Sequence, residues 1–176
     1  MFITYKISSI IHYNEISFMK KVLILLPIFI FIIGLVFGIS TEPSTIFTTS
    51  NPNTIEISFL SIFIHNLKAI LVNISGLVTF GITTSINIFL TAFLLGLNIR
   101  RAINANYSTI FILQHTLPHF TEYFAIFISG YLGFTGIELL FFRSVSKSYY
   151  IKKIILVFIT IPLLLFAAFM EAKFAY

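Results

Sequence analysis

Cysteine is absent from the 176 residues. Disulfides, thiolate metal sites and cysteine nucleophiles are therefore excluded, and the redox compartment stays open. Tryptophan is absent too, so an aromatic belt at the lipid headgroups would have to come from the 8 Tyr and 22 Phe. Charge is scarce, with Asp, Glu, Lys and Arg at 10% of the chain. No G-x-S-x-G, Walker A or G-x-G-x-x-G pattern occurs, so a serine hydrolase, an ATPase and a dinucleotide enzyme all lack support, and any energy from ATP has to come from a partner. Basic residues outnumber acids 11 to 6 without clustering on a soluble face. That excess suits an anionic cytoplasmic leaflet and is no nucleic-acid signature. Neither a repeat of fixed period nor a low-complexity linker is found.

What fills the chain instead is apolar: 58% hydrophobic residues and a mean hydropathy of +1.02. A water-soluble domain of this length could not hide so much apolar surface. The fold class expected is all-α, a polytopic helical bundle in a cell membrane with about five spanning helices, N-terminus inside and C-terminus outside. One transmembrane domain covers 1–176, with residues 1–21 as a cytoplasmic segment. The first span, Val22 to Ile39, follows Lys20-Lys21 and is about long enough for a ~30 Å hydrocarbon core. A retained signal anchor fits it better than a cleaved signal peptide, because a polar stretch of about twenty residues precedes it and no A-x-A site follows. Residues 40–58, polar and without a basic residue, read as an extracytoplasmic loop.

From 59 to 99 the apolar stretch is too long for one span and is punctuated by Gly76, Gly81, Thr83, Thr84 and Ser85. It predicts a hairpin, Phe59–Phe80 returning as Ile86–Ile99, with a re-entrant segment as the alternative. The hairpin sets Arg100-Arg101 outside, against the positive-inside rule. Residues 109–142 read as a helix broken at Pro118, the spanning part being His119–Phe141. A basic cytoplasmic link, 143–153, leads to a last helix, 154–170, with a kink expected at Pro162. Seven basic residues then lie inside (Lys6, Lys20, Lys21, Arg143, Lys147, Lys152, Lys153) against Arg100, Arg101 and Lys173 outside, with Lys68 in a helix.

Polar residues at membrane depth are costly and invite an account. Asn66 and Asn73, seven apart, share a helical face near His65 and Lys68. They either bond neighbouring helices, with Lys68 snorkelling, or bind substrate. The densest constellation is Gln114 to Glu122. On a continuous helix His115, His119 and Glu122 form one stripe able to serve a divalent metal. If Pro118 opens a new helix, Leu117 leaves helical dihedrals and only His119 and Glu122 stay paired. Structural pairing, peptide or proton handling, and a metal centre are the three readings. His119 and Glu122 are the candidate catalytic pair, Asn66, Asn73 and His115 the candidate substrate contacts, with no metal or other cofactor assigned. Ala125, Ser129 and Gly133 recur every four residues with Gly130 and Gly136 beside them. Such small residues allow close helix packing, inside the bundle or in a homo-oligomer.

The stretch from Phe63 to Gly136 resembles the core of the stage II sporulation protein M family, which is also found in gene clusters for circular bacteriocins. The resemblance is carried by His65-Asn66-Leu67, by Gly76, Gly81 and Thr83, by Pro118-His119 with Glu122, and by Ser129 to Phe134. The family pattern has Gly after the histidine and Glu four residues on, where this chain has Phe120 and Glu122, and its Asn-Gly is replaced by Thr91-Ala92. The resemblance implies one of two roles. One is a membrane subunit in the maturation, secretion or immunity of a circular bacteriocin, partnered by the lipid bilayer, other membrane subunits, a separate ATPase and a hydrophobic precursor peptide. The other is a scaffold recruiting peptidoglycan hydrolases in sporulation. A His/Glu-dependent intramembrane peptidase is a third reading, and whether the chain is an enzyme is left open.

Overall fold

The computed structural model describes residues 2–42, 59–141 and 147–174, and every described element is helical. The order is α1 (Phe2–Ser40), α2 (Phe59–Ser75), α3 (Ile82–Asn104), α4 (Thr109–Thr116), a 3₁₀ turn over Leu117–His119, α5 (Phe120–Phe141) and α6 (Lys147–Phe174). Four segments are long and apolar enough to cross a membrane: Phe18–Ser40, Ile82–Asn104, Phe120–Leu140 and Ile151–Lys173. The 17 residues of α2 form a shorter apolar helix, roughly 25 Å long at 1.5 Å per residue. Leu25, Phe29, Leu94, Phe158 and Phe166 are exposed, whereas Asn73, Thr84, Ser129 and Thr160 are buried. Apolar outside and polar within suits a lipid solvent. The chain is a multi-pass membrane protein.

Helix α1 packs chiefly on α3, α5 on α6, and α2 on both α5 and α6. The α1–α3 contact is built from small residues on both sides. Gly34 and Gly38 of α1 face Ala92 and Gly96 of α3, and a Cβ added at Gly34 would come within 2.6 Å of Phe89 O. One at Gly38 would strike Phe93 O, and one at Gly96 would strike Leu35 O. In lipid, dispersion between closely approached backbones holds such a pair together. Pro27 lies buried inside α1, its ring against Gly130 of α5.

The α2–α3 connection corrects two expected boundaries. Helix α2 stops at Ser75 rather than Phe80, and α3 starts at Ile82 rather than Ile86. The turn uses left-handed dihedrals at Phe80 (φ 52) and Gly81 (φ 87), and Gly81 N–H donates to Gly76 O at 2.8 Å. Thr83, Thr84 and Ser85 then sit inside α3, because their hydroxyls are satisfied: Ser85 Oγ donates to Gly81 O at 2.9 Å and Thr84 Oγ1 reaches across to α2, donating to Asn73 O at 2.7 Å. Helix α3 also runs past Arg100-Arg101 to Asn104, with Arg101 Nη1 donating to Asn98 Oδ1 at 3.3 Å. Helix α6 begins at Lys147, within the expected link, and passes through Pro162 to Phe174. Of the expected loop over 40–58, Ser40 still belongs to α1, while residues 43–58, like 142–146, lie outside the described residues.

Candidate functional site

Pro118 occupies the 3₁₀ turn between α4 and α5, yet Leu117 keeps helical dihedrals (φ −56, ψ −42). The expected departure of Leu117 does not occur: the chain passes from α4 into α5 through a 3₁₀ turn with no extended residue. A 3₁₀ turn advances about 120° per residue, which breaks the i, i+4 alignment of a continuous α-helix. His115 is accordingly exposed and held locally, its Nδ1 2.9 Å from Phe111 O and its ring 4.0 Å from the Phe111 ring.

His119 and Glu122 do meet at the start of α5. His119 Nδ1, when it carries the proton, donates to Glu122 Oε2 at 3.4 Å. A third group arrives from the last turn of α6: Glu171 Oε2 lies 3.6 Å from the same nitrogen. The three side chains are partly buried and their donor atoms all fall within 4.8 Å of one another. The hydrogen bond to Glu122 holds the His119 imidazolium above its ordinary range; burial works against this, and the Glu171 charge adds to it. Tyr123 is within electrostatic reach of both carboxylates, and His65 of α2 within reach of Glu171. The arrangement can store a proton, receive an amine or bind a cation.

The asparagines divide. Asn73 is fully buried and at the centre of a three-helix junction: its Nδ2 donates to Ser129 Oγ at 3.0 Å and its Oδ1 accepts from Asn87 Nδ2 at 2.9 Å. Asn66 is 4% exposed, and its Nδ2 has no hydrogen-bond partner among the described residues. The small residues of α5 are used within the bundle: Gly133 lies against Asn73 and Thr84, Gly136 against Leu77, and Gly76 of the turn against Thr84 and Gly133. Ala125 is buried beside them in the core, and Gly81 lies under the Phe134 ring.

At the opposite end of α5 a second polar group forms. Glu138 is buried, one carboxylate oxygen accepts from Tyr149 OH, and the other has no partner among the described residues. Lys153 Nζ donates to Tyr131 OH at 2.6 Å and sits 3.8 Å from the centre of that ring. Sequence reading placed Lys153 in a polar link and missed this packing; the signal was an acid embedded among Gly136, Leu139 and Leu140.

The order of these landmarks along the chain matches a known family. The profile of the family described as stage II sporulation protein M matches residues 22–175. The chain belongs to the stage II sporulation protein M family. A relative, an uncharacterised protein of the archaeon Methanocaldococcus jannaschii, is 32% identical over 121 residues, which cover 65% of this chain and 67% of that protein. No solved structure matches. In this member the family-like landmarks are scattered through the bundle. Asn66 lies midway along α2, Gly76, Gly81 and Thr83 shape the α2–α3 turn, His119 and Glu122 open α5, and Gly133 and Gly136 seat α5 against that turn.

Proposed function

We propose that this protein is a non-ATPase membrane subunit that handles a hydrophobic precursor peptide in the maturation, secretion or immunity of a circular bacteriocin. The observation that supports this reading best is the partly exposed His119, Glu122 and Glu171 cluster at one end of a bundle whose outer surface is otherwise greasy. With Lys20-Lys21 held in the cytoplasm and α2 counted as a fifth crossing, the start of α5 and the end of α6 face outward. There an imidazole between two carboxylates could take a proton from a peptide amine whose ordinary pKa is about 8, leaving the free base a nucleophile. Asn66, whose buried Nδ2 has no partner among the described residues, would offer a donor to the peptide backbone. ATP-driven export would fall to a separate ATPase, and other membrane subunits would complete the complex.

Deleting the protein should abolish active bacteriocin while the precursor is still transcribed, and Glu122→Gln or His119→Ala should do the same with the protein present in the membrane. Normal production in the deletion strain would end this reading. The family's description names sporulation, which suits a second reading, a scaffold recruiting peptidoglycan hydrolases. Of the connections on the outward side in this topology, residues 105–108 are short, and the loop over 40–58 through which a scaffold would recruit hydrolases lies mostly outside the described residues. Co-purification with cell-wall hydrolases, with Glu122→Gln as competent as wild type, would favour the scaffold.

A further inference from the structure

We propose that His119, Glu122 and Glu171 together bind one divalent transition-metal ion of the zinc class. This goes beyond the peptide role, because an ion held by these three side chains would take the imidazole lone pair that otherwise accepts the amine proton, and it can be tested without any product. Ligands 2.0–2.2 Å from a tetrahedral zinc stand about 3.3–3.6 Å apart. His119 Nδ1 lies 3.4 Å from Glu122 Oε2 and 3.6 Å from Glu171 Oε2, and all three donor atoms fall within 4.8 Å. Closing the set around an ion therefore needs side-chain shifts of about an ångström and no movement of α5 or α6.

Charge points the same way. Two carboxylates this close in a partly buried setting repel, and a proton or a cation must sit between them. A neutral imidazole with two carboxylates carries two negative charges, which one dication cancels. The donor set narrows the choice of ion. Calcium and magnesium favour oxygen ligands alone and in greater number. An imidazole nitrogen beside two carboxylate oxygens suits zinc and its first-row neighbours. Side-chain exposures of 29% for His119, 14% for Glu122 and 24% for Glu171 leave a path for the ion and a fourth position open to water or a substrate group. Such a site would also clamp the first turn of α5 to the last turn of α6, residues brought together from distant parts of the chain.

The test uses the full chain, purified in detergent without a polyhistidine tag, stripped with chelator and titrated with Co²⁺. We expect saturation at about one ion per chain, a visible d–d band that Zn²⁺ abolishes, and affinity lowered about tenfold or more by the isosteric Glu171→Gln and Glu122→Gln. Glu138→Gln, at the other end of α5, should bind as wild type does. Circular dichroism and elution volume establish that each variant is folded, and if His119→Ala is not, the two Gln variants carry the test. No saturable band, or equal affinity in wild type and Glu171→Gln, would overturn the proposal. Metal binding in a protein whose deletion leaves bacteriocin untouched would sink the peptide role and keep the metal site. Loss of product in Glu122→Gln with no metal bound by wild type would do the reverse.

Discussion

Asn73 Nδ2 donates to Ser129 Oγ at 3.0 Å, tying α2 to α5 across 56 residues of chain. Asn87 Nδ2 joins from α3 by donating to Asn73 Oδ1 at 2.9 Å. One buried amide thus holds three helices, a use of polar residues that lipid favours because no water competes for them. Replacing it by Ala removes two interhelical bonds, and we expect a loss of about 1–3 kcal/mol, read as a lower unfolding midpoint in mild detergent. Asn66→Leu should behave differently. Its amide nitrogen is already buried without a partner among the described residues, so an apolar group of similar shape should be neutral or stabilising. Equal destabilisation by the two substitutions would show that Asn66 is also a packing residue and would remove it from the candidate substrate contacts.

The α1–α3 contact yields a graded prediction. Gly38 and Gly96 oppose each other so closely that a Cβ on either would stand 2.9 Å from the other's Cα. Gly38→Ala should destabilise, Gly38→Val more so, by about 1–3 kcal/mol or beyond, because backbone cannot give way as a flexible side chain can. Detergent-resistance midpoints of the two variants, compared with wild type, measure this. A Gly38→Val protein as resistant as wild type would mean that α1 is not anchored through this crossing.

Much of this architecture was legible in the chain and some was not, for separable physical reasons. The apolar runs located α1, α5 and α6, since hydropathy over about twenty residues reports lipid contact directly. Turn boundaries failed at Thr83, Thr84 and Ser85, whose hydroxyls look like loop formers but, when packed, bond backbone carbonyls at Thr84 and Ser85 and the Ser75 and Thr79 hydroxyls at Thr83. The Gly34-x-x-x-Gly38 spacing in α1 was readable but overlooked, because it lies within a uniformly apolar run. His119 and Glu122 are three residues apart and could be paired by counting. Glu171 could not, since only the packing of α6 on α5 brings it there. Its one local sign was an acid in the last turn of a helix, where the dipole disfavours it and a compensating partner is needed.

At the far end of α5, Glu138 gives an ordered pair of outcomes. Tyr149→Phe removes the hydroxyl that one Glu138 oxygen accepts from, and the other oxygen already lacks a partner among the described residues. A buried acid left so poorly satisfied should cost about 1–3 kcal/mol. Glu138→Gln removes the charge while keeping a carbonyl to accept from Tyr149, so its cost should be smaller, below about 1 kcal/mol. Burial of the phenol, and after it the hydrogen bond to Glu138, holds the Tyr149 hydroxyl above the ordinary phenol range. Unfolding midpoints that rank the two variants in the opposite order would show that the carboxylate charge itself is required, most simply as the counter-ion of Lys153.

The pH dependence of the His119 cluster has a definite sign. In the metal-free protein the His119 pKa is raised above its ordinary 6.5, first by the hydrogen bond to Glu122 and further by Glu171, with burial opposing. The folded state then holds its proton more tightly than the unfolded chain. That stabilisation is complete below the ordinary value and is lost as pH rises through the folded value. Tyr123 on α5 and His65 on α2 also approach the cluster, so the slope must be assigned by variant and not by position. Glu122→Gln removes the largest cause and should flatten the decline in unfolding midpoint on the alkaline side of 6.5. Zinc should act in the opposite sense, because it needs the imidazole neutral: its stabilisation should grow as pH rises and vanish as His119 protonates. Midpoints measured across this range with and without Zn²⁺ should therefore diverge toward high pH. Parallel curves would mean that the ion does not compete with the His119 proton and is bound elsewhere.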